Sequence, residues 1–303
     1  MKILDVKIDR EKMLTTTDKT RHFNHIIWQP TFSCSATCKS CYVKAGPLGN
    51  REAAFSPELF RLLFTVRTID CDQLTLSMDN TLDPNEGFCS ILKLILKLYR
   101  PDTEYVYQLP QLCMTFKSWN SVAIWCRSLK IQARELLAPV DTLSLSTFPT
   151  LGKVCEEVID ICRETSTTLN YNCMVKEDTV KSKSFEIGTR YSNMVYMVLR
   201  KSPLGMCSNK EDLILYHDAV CETTSTSLKV DQCVSATNLR AAEGTTCSAG
   251  IGIVSVWPGD RVTGCPYDSH GHGESQGDTL VERMIKVSNP MDQHCKLGDL
   301  YAT

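Results

Sequence analysis

Along most of the chain, β-type apolar runs take turns with stretches in which apolar residues recur every three to four positions. Ile26–Phe32 is the first such run and ends in a cysteine-rich loop. Ser56-Pro57-Glu58 then opens a helix, with serine as N-cap, proline at the first helical position and an acid in the first turn. Leu59, Leu62, Leu63 and Val66 give that helix one apolar stripe. Gln73–Ser77 reads as a strand. Pro84 starts a helix with Phe88, Ile91, Leu92, Ile95 and Leu98 on its apolar face. Glu104–Leu109 reads as a strand, Ser118–Leu129 as a helix and Val140–Ser146 as a strand. Leu151–Arg163 is a helix with Val154, Cys155, Val158, Ile159 and Cys162 inward. Thr168–Val175 and Asn193–Leu199 complete the series.

Six strands alternating with helices predict an α/β chain with a parallel sheet and crossover helices. Periodicity does not say whether the sheet closes. After Arg200 the pattern changes. Leu213–His217 reads as one more strand and Thr223–Ser227 as a loop. Ile251–Trp257 and Arg261–Thr263 flank the turn signal Pro258-Gly259-Asp260, which predicts a hairpin. Ser269–Asp278 is rich in Gly, His and Ser, and Thr279–Val287 reads as a short helix.

Composition narrows the class. The chain has 303 residues, room for one barrel-type domain and a small appendage. A formal net charge of −2 argues against electrostatic wrapping of extended nucleic acid. Met1–Arg10 lacks the apolar core of a signal peptide. Phe88–Leu98 is the longest apolar stretch, and Lys93 and Lys97 break it, too short to span a bilayer. The expectation is a cytoplasmic chain with no membrane partner. The 16 cysteines are then better read as metal ligands and small buried hydrophobes than as a disulfide framework. Cys71, Cys89, Cys113, Cys126, Cys155, Cys162 and Cys173 fall inside elements and read as core.

The chemistry concentrates in Thr31-Phe32-Ser33-Cys34-Ser35-Ala36-Thr37-Cys38-Lys39-Ser40-Cys41-Tyr42, where three cysteines are spaced C-x3-C-x2-C. Three thiolates in one tight loop can hold three irons of a 4Fe–4S cube. The fourth iron then keeps an open position for an exogenous molecule. Soft thiolates select Fe–S, Zn or Cu(I). Zinc needs a fourth ligand, and no Cys or His follows Cys41 within twenty residues.

This spacing, at the end of the first strand of a βα series, resembles the radical S-adenosylmethionine (SAM) superfamily, and the resemblance covers most of residues 24–200. It implies a partial (β/α)6 TIM-type barrel with Cys34, Cys38 and Cys41 as ligands of a 4Fe–4S cluster at the C-terminal mouth of the strands. SAM binds the open iron, and one electron from a flavodoxin or ferredoxin cleaves its sulfonium. Where the family often has Gly-Gly-Glu-Pro, this chain has Met78-Asp79-Asn80-Thr81, so Asp79 and Asn80 correspond to the SAM amino site. Ser144, Ser146 and Asn172 resemble the family's ribose and carboxylate contacts.

Cys247, the predicted hairpin and Cys265 resemble the SPASM or twitch extension of the same superfamily. That implies a division into a core at 1–210 and a small cysteine-containing β-hairpin extension at 211–303. A second 4Fe–4S cluster would be held by Cys247, Cys265 and Cys295, with Cys233 or His294 as a fourth ligand. His270 and His272 in the Gly-rich loop read as solvated, and Arg200 and Lys201 as surface residues that could meet a carboxylate or phosphate. Only 33 residues precede Cys34, too few for an N-terminal peptide-binding domain. The expected activity is therefore SAM cleavage and hydrogen abstraction from a small molecule or nucleotide/nucleoside. A radical SAM peptide maturase served by a separate partner is one alternative. The other is a non-catalytic zinc or Fe–S scaffold protein.

Overall fold

In a computed structural model, the structure describes residues 21–32, 34, 56–78, 86–99, 108–150, 152–174, 181–197, 229–230, 252–265 and 274–287. The fold is α/β. Its described strands are β1 (Arg21–Trp28), β2 (Ile69–Ser77), β3 (Gln111–Phe116), β4 (Thr142–Leu145), β5 (Thr168–Met174), β6 (Asn193–Met197), β7 (Lys229–Val230), β8 (Ile253–Trp257) and β9 (Arg261–Thr263). Its described helices are α1 (Pro57–Phe60), which continues as a π-helical turn over Arg61–Thr65, then α2 (Glu86–Leu98), α3 (Trp119–Leu129), α4 (Ala133–Leu137), α5 (Gly152–Glu164), α6 (Lys183–Tyr191) and α7 (Leu280–Lys286).

The strands form one sheet in the order β7-β6-β5-β4-β3-β2-β1-β8-β9. Every pairing is parallel except the β8–β9 hairpin. From β1 to β7 each strand lies beside its predecessor. Parallel neighbours joined by crossovers of one hand put their helices on one side of the sheet. Such an arrangement is compatible with a partial barrel.

Local chemistry explains the element ends. Ser56 caps α1, its Oγ accepting from Leu59 N at 3.0 Å. Lys130 ends α3 in the left-handed region at φ 58°. In the hairpin, Gly259 and Asp260 take φ 76° and 59°, which fits a short turn matched to the twist of its strands.

Four elements depart from the pattern reading. β1 begins at Arg21 and ends at Trp28, earlier than expected at both ends. Its polar first half is held by pairing with Ile69–Gln73 of β2, and Pro30, lacking an N–H, cannot continue the ladder. β3 at Gln111–Phe116 was not expected; of the expected strand 104–109, residues 104–107 lie outside the described residues and 108–109 belong to no strand, and Pro110 marks the start of β3. Helices α4 and α6 were not expected. Both are short, and both rest on N-terminal caps, a capping box of Gln132 with Glu135 and the Ser182 hydroxyl on Phe185 N. The predicted strand 213–217 and loop 223–227 lie outside the described residues.

The hairpin forms as predicted, with Ser255 opposite Thr263 and Trp257 opposite Arg261. Its first strand pairs in parallel with β1, from His25 with Ile253 to Trp28 with Val256, so it extends the sheet of the βα series.

Partners across a ladder point to the same face, which sorts the strand residues into two sets. One set, including Ile26, Trp28, Leu74, Leu76, Leu112, Met114, Phe116, Leu143, Leu145, Leu169, Tyr171, Val254 and Val256, is apolar and fully or almost fully buried. Helices α3, α5 and α6 contact the sheet, and Leu92, Val122, Trp125 and Val158 join these residues in one core. On α6, a Cβ at Gly188 would run into the Tyr171 ring, so helix and strand approach as closely as glycine allows. The other set faces away from these helices.

Candidate functional site

The C-terminal ends of the parallel strands all lie at one edge of the sheet, where α/β sheets bind their ligands. Cys34 sits beyond the end of β1 at this edge and is buried, at 6% exposure. The segment leading to it is tied to the end of β8. Gln29 N donates to the Val256 carbonyl at 2.8 Å. Phe32 stacks on Trp257 with centroids 5.8 Å apart. Trp257 Nε1 in turn donates to Thr263 Oγ1 at 2.8 Å, and that hydroxyl donates to the Cys265 carbonyl at 2.9 Å. Cys265 itself is buried just past the hairpin. Arg283 of α7 donates to the Asp260 and Gly277 carbonyls, holding the turn.

Of the expected metal ligands, Cys34 and Cys265 are described. Cys38, Cys41, Cys247 and Cys295 lie outside the described residues, as do Cys233, His294, His270 and His272, Arg200 and Lys201, and the SAM-site candidates Asp79 and Asn80. Among the described residues no three His, Cys, Asp or Glu side chains come together in a way that could hold a metal ion. The seven cysteines expected in the core are all buried. Burial pushes the Cys126 thiol up to about 11 and those of Cys162 and Cys173 up to about 12, so these remain protonated, unreactive packing groups.

Ser144 is described near the end of β4 and is 7% exposed. Ser146 follows that strand, its N–H donating to the Phe116 carbonyl at 3.0 Å. Asn172 lies on β5, in register with Val195. Ser144 and Asn172 share the face turned away from the helices.

That face carries a set of residues of which the sequence reading found only Ser144. The ladder aligns Ser77 with Thr115, Thr115 with Ser144, Ser144 with Asn170 and Asn170 with Asn193. Five polar, uncharged side chains therefore stand in one row across five adjacent strands. At the usual strand spacing the row spans roughly 19 Å. Toward the N-terminal edge follow Ser255, Ile27, Thr75, Cys113 and Thr142 in one register line, then Ile253, His25, Gln73 and Gln111. His25 Nε2 lies 2.7 Å from Thr75 Oγ1, and Gln73 Nε2 donates to Cys113 Sγ at 3.1 Å. Burial lowers the His25 pKa to about 4, so the ring is neutral at physiological pH. Below His25 the face turns apolar at Phe23 and Cys71.

The face is polar yet largely closed to water. Ser77, Thr75, Ser144 and Asn170 are each at most 7% exposed, and Ser255 is fully buried. Asn170 Oδ1 and Ser255 Oγ have no hydrogen-bond partner among the described residues. Native proteins leave few buried polar groups unpaired, and those they leave call for an explanation.

The signal was present in the sequence as strict alternation: Leu74-Thr75-Leu76-Ser77, Leu112-Cys113-Met114-Thr115 and Leu169-Asn170-Tyr171-Asn172. Strands of an all-parallel sheet usually read as continuous apolar runs, because both faces are covered by apolar packing. Polar residues at every second position of such strands mark one face as something other than core.

No protein-family model matches the chain, and no curated protein matches it either.

Proposed function

We propose that the chain is a radical SAM enzyme built on a partial (β/α)6 TIM-type barrel. The observation that carries this reading is the C-x3-C-x2-C run directly after the first strand of a consecutive parallel βα series, with Cys34 buried at the C-terminal edge of that sheet. Consecutive strand order and a polar, water-shielded face opposite the helices support the barrel. The donor set suits the group: three thiolates within eight residues match an Fe–S cube that leaves one iron free.

In this reading Cys34, Cys38 and Cys41 hold the cluster, which when bound supplies the electron that splits the SAM sulfonium. The chain's own residues do the rest. Asp79 and Asn80 take the SAM amino group; Ser144, Ser146 and Asn172 offer hydrogen bonds to its ribose and carboxylate. The Phe32–Trp257 stack fixes the entry to the motif. The polar face positions a small molecule or nucleoside for hydrogen abstraction, and Phe23 and Cys71 at the far end keep water from entering behind it. Cys247, Cys265 and Cys295 belong to a C-terminal extension that accommodates a second cluster. A flavodoxin- or ferredoxin-type donor delivers the electron.

The test is anaerobic reconstitution. Purified protein loaded with iron and sulfide should turn brown, hold about four irons, or about eight with a second cluster, and release 5′-deoxyadenosine from SAM in the presence of dithionite. Zinc in place of iron, with no cleavage of SAM, overturns the reading in favour of a scaffold protein.

A further inference from the structure

We infer that the row of Ser77, Thr115, Ser144, Asn170 and Asn193 is the floor of a substrate site that takes an uncharged, hydroxyl- or amide-bearing small molecule and rejects its phosphorylated counterpart. The inference rests on the reading above for calling the bound molecule a substrate, and deepens it by naming the molecule's class. Nothing in the row's geometry depends on a cluster.

The row lies one register step deeper in the sheet than Asn172, which aligns with Val195. It is a built feature. Register fixes all five side chains on one face, and on β2 to β5 the alternate residues Leu76, Met114, Leu143 and Leu169 are core. Two observations point to a ligand. Asn170 is 5% exposed, and its Oδ1 has no partner among the described residues. Ser255 Oγ, on the same face and wholly buried, is in the same condition. Leaving such groups desolvated and unpaired is costly, and a ligand with matching donors and acceptors removes that cost. The Ser77 and Thr115 hydroxyls approach each other only at 3.5 Å, the long limit of a hydrogen bond, and remain able to turn toward a third group.

The row also dictates ligand charge. Its members are all neutral, and the register lines beneath it from β8 to β5 hold no lysine, arginine, aspartate or glutamate beside His25 and Ser255. Backbone N–H groups of the inner strands are committed to the ladder. Among the described residues, a phosphate seated here would be a desolvated anion without a cation or a free N–H to meet it. Hydroxyls and carboxamides, each both donor and acceptor, match hydroxyls and amides of a sugar or a nucleoside.

Isothermal titration of the full chain tests this with two probe pairs, uridine against uridine 5′-monophosphate and glucose against glucose 6-phosphate. At least one neutral probe should bind, with its phosphorylated partner weaker by about tenfold or more. Asn170→Leu and the near-isosteric Thr115→Val should each weaken that binding by about tenfold without lowering the thermal midpoint, a combination that a purely structural role would not produce. Equal or tighter binding of the phosphorylated probe, unchanged affinity in both variants, or no binding of either neutral probe overturns the inference. Titrations before and after iron–sulfide loading, with SAM cleavage read on the loaded sample, separate the two proposals. Probe binding without iron uptake or SAM cleavage removes the functional reading alone. SAM cleavage without probe binding removes this site alone.

Discussion

The two faces of the central sheet are made from alternate residues of the same strands, and they follow opposite rules. On the helix side Leu74, Leu76, Met114, Phe116, Leu143 and Leu145 are all 0% exposed and carry nothing but hydrocarbon and thioether. On the other side Thr75, Ser77, Ser144, Asn170 and Ser255 are almost as well hidden from water, yet each brings a group that needs a hydrogen bond. Equal burial thus has opposite meanings. Removing apolar area from water on the first face stabilises the fold. Hiding a hydroxyl or amide on the second stabilises it only where a partner is supplied. At Asn170 Oδ1 and Ser255 Oγ, where no partner is supplied among the described residues, the second face costs stability, and the proposed ligand would offset that cost.

The largest effect should come from cutting into the apolar face. Phe116→Ala removes a fully buried ring from the centre of the core. Loss of the ring's burial and the cavity left behind should cost about 3–5 kcal/mol, read as a lower urea midpoint at unchanged slope. A loss below about 1 kcal/mol would mean that this face is not the packed core, and the contrast between the faces would collapse.

Next comes an acid sensitivity placed on the polar face. The His25 pKa is lowered by burial from 6.5 to about 4, and its register neighbours Gln73 and Ile253 bring no charge to offset that. Below pH 6.5 the unfolded chain protonates this ring while the folded chain does not. The neutral ring's full contribution is present above that pH and declines as pH falls toward about 4, where the folded ring also protonates. The limit of the loss is about 3 kcal/mol. Stability curves from pH 7 to pH 4 should therefore be shallower for His25→Gln than for the parent. Parallel curves would show that the ring is not shut away from water.

The apolar face was largely readable from the sequence. The stripes of α2 and α5, the strands at β2, β4, β5 and β6, and the hairpin all lie within a few residues of where periodicity put them. Apolar packing imposes a repeat that a single chain displays. β3 is a strand that the pattern alone did not single out at Gln111–Phe116. Pairing with Gln73–Ser77 of β2 fixes it, and that partner is remote in the chain. The same holds for the polar row. Thr115 and Asn170 are unremarkable singly, and they become a feature only when register lines them up. The cysteine motif stands out in the sequence for the opposite reason, since its three thiols are close in the chain and their spacing alone suggests the chemistry proposed for it.

The smallest effect should have the opposite sign to the first. Ser255 is fully buried between β1 and β9, and its register partners are Ile27, which cannot hydrogen-bond, and Thr263. The Thr263 hydroxyl is already engaged, accepting from Trp257 and donating to the Cys265 carbonyl. Ser255 Oγ thus has no partner among the described residues, and folding strips it of water without return. Ser255→Ala removes that unpaired group and opens a gap of one oxygen atom, so ligand-free protein should gain about 1 kcal/mol. Thr75→Val makes the matched contrast. That hydroxyl is nearly as well hidden but sits 2.7 Å from His25 Nε2, and its removal leaves a part-buried ring nitrogen unsatisfied, a loss of about 1 kcal/mol. Chemical denaturation of the pair reads both signs in one experiment. If Ser255→Ala lowers stability as much as Thr75→Val does, Ser255 is a satisfied structural hydroxyl. The polar face would then be an ordinary hydrogen-bonded layer, with no excess capacity to offer a ligand.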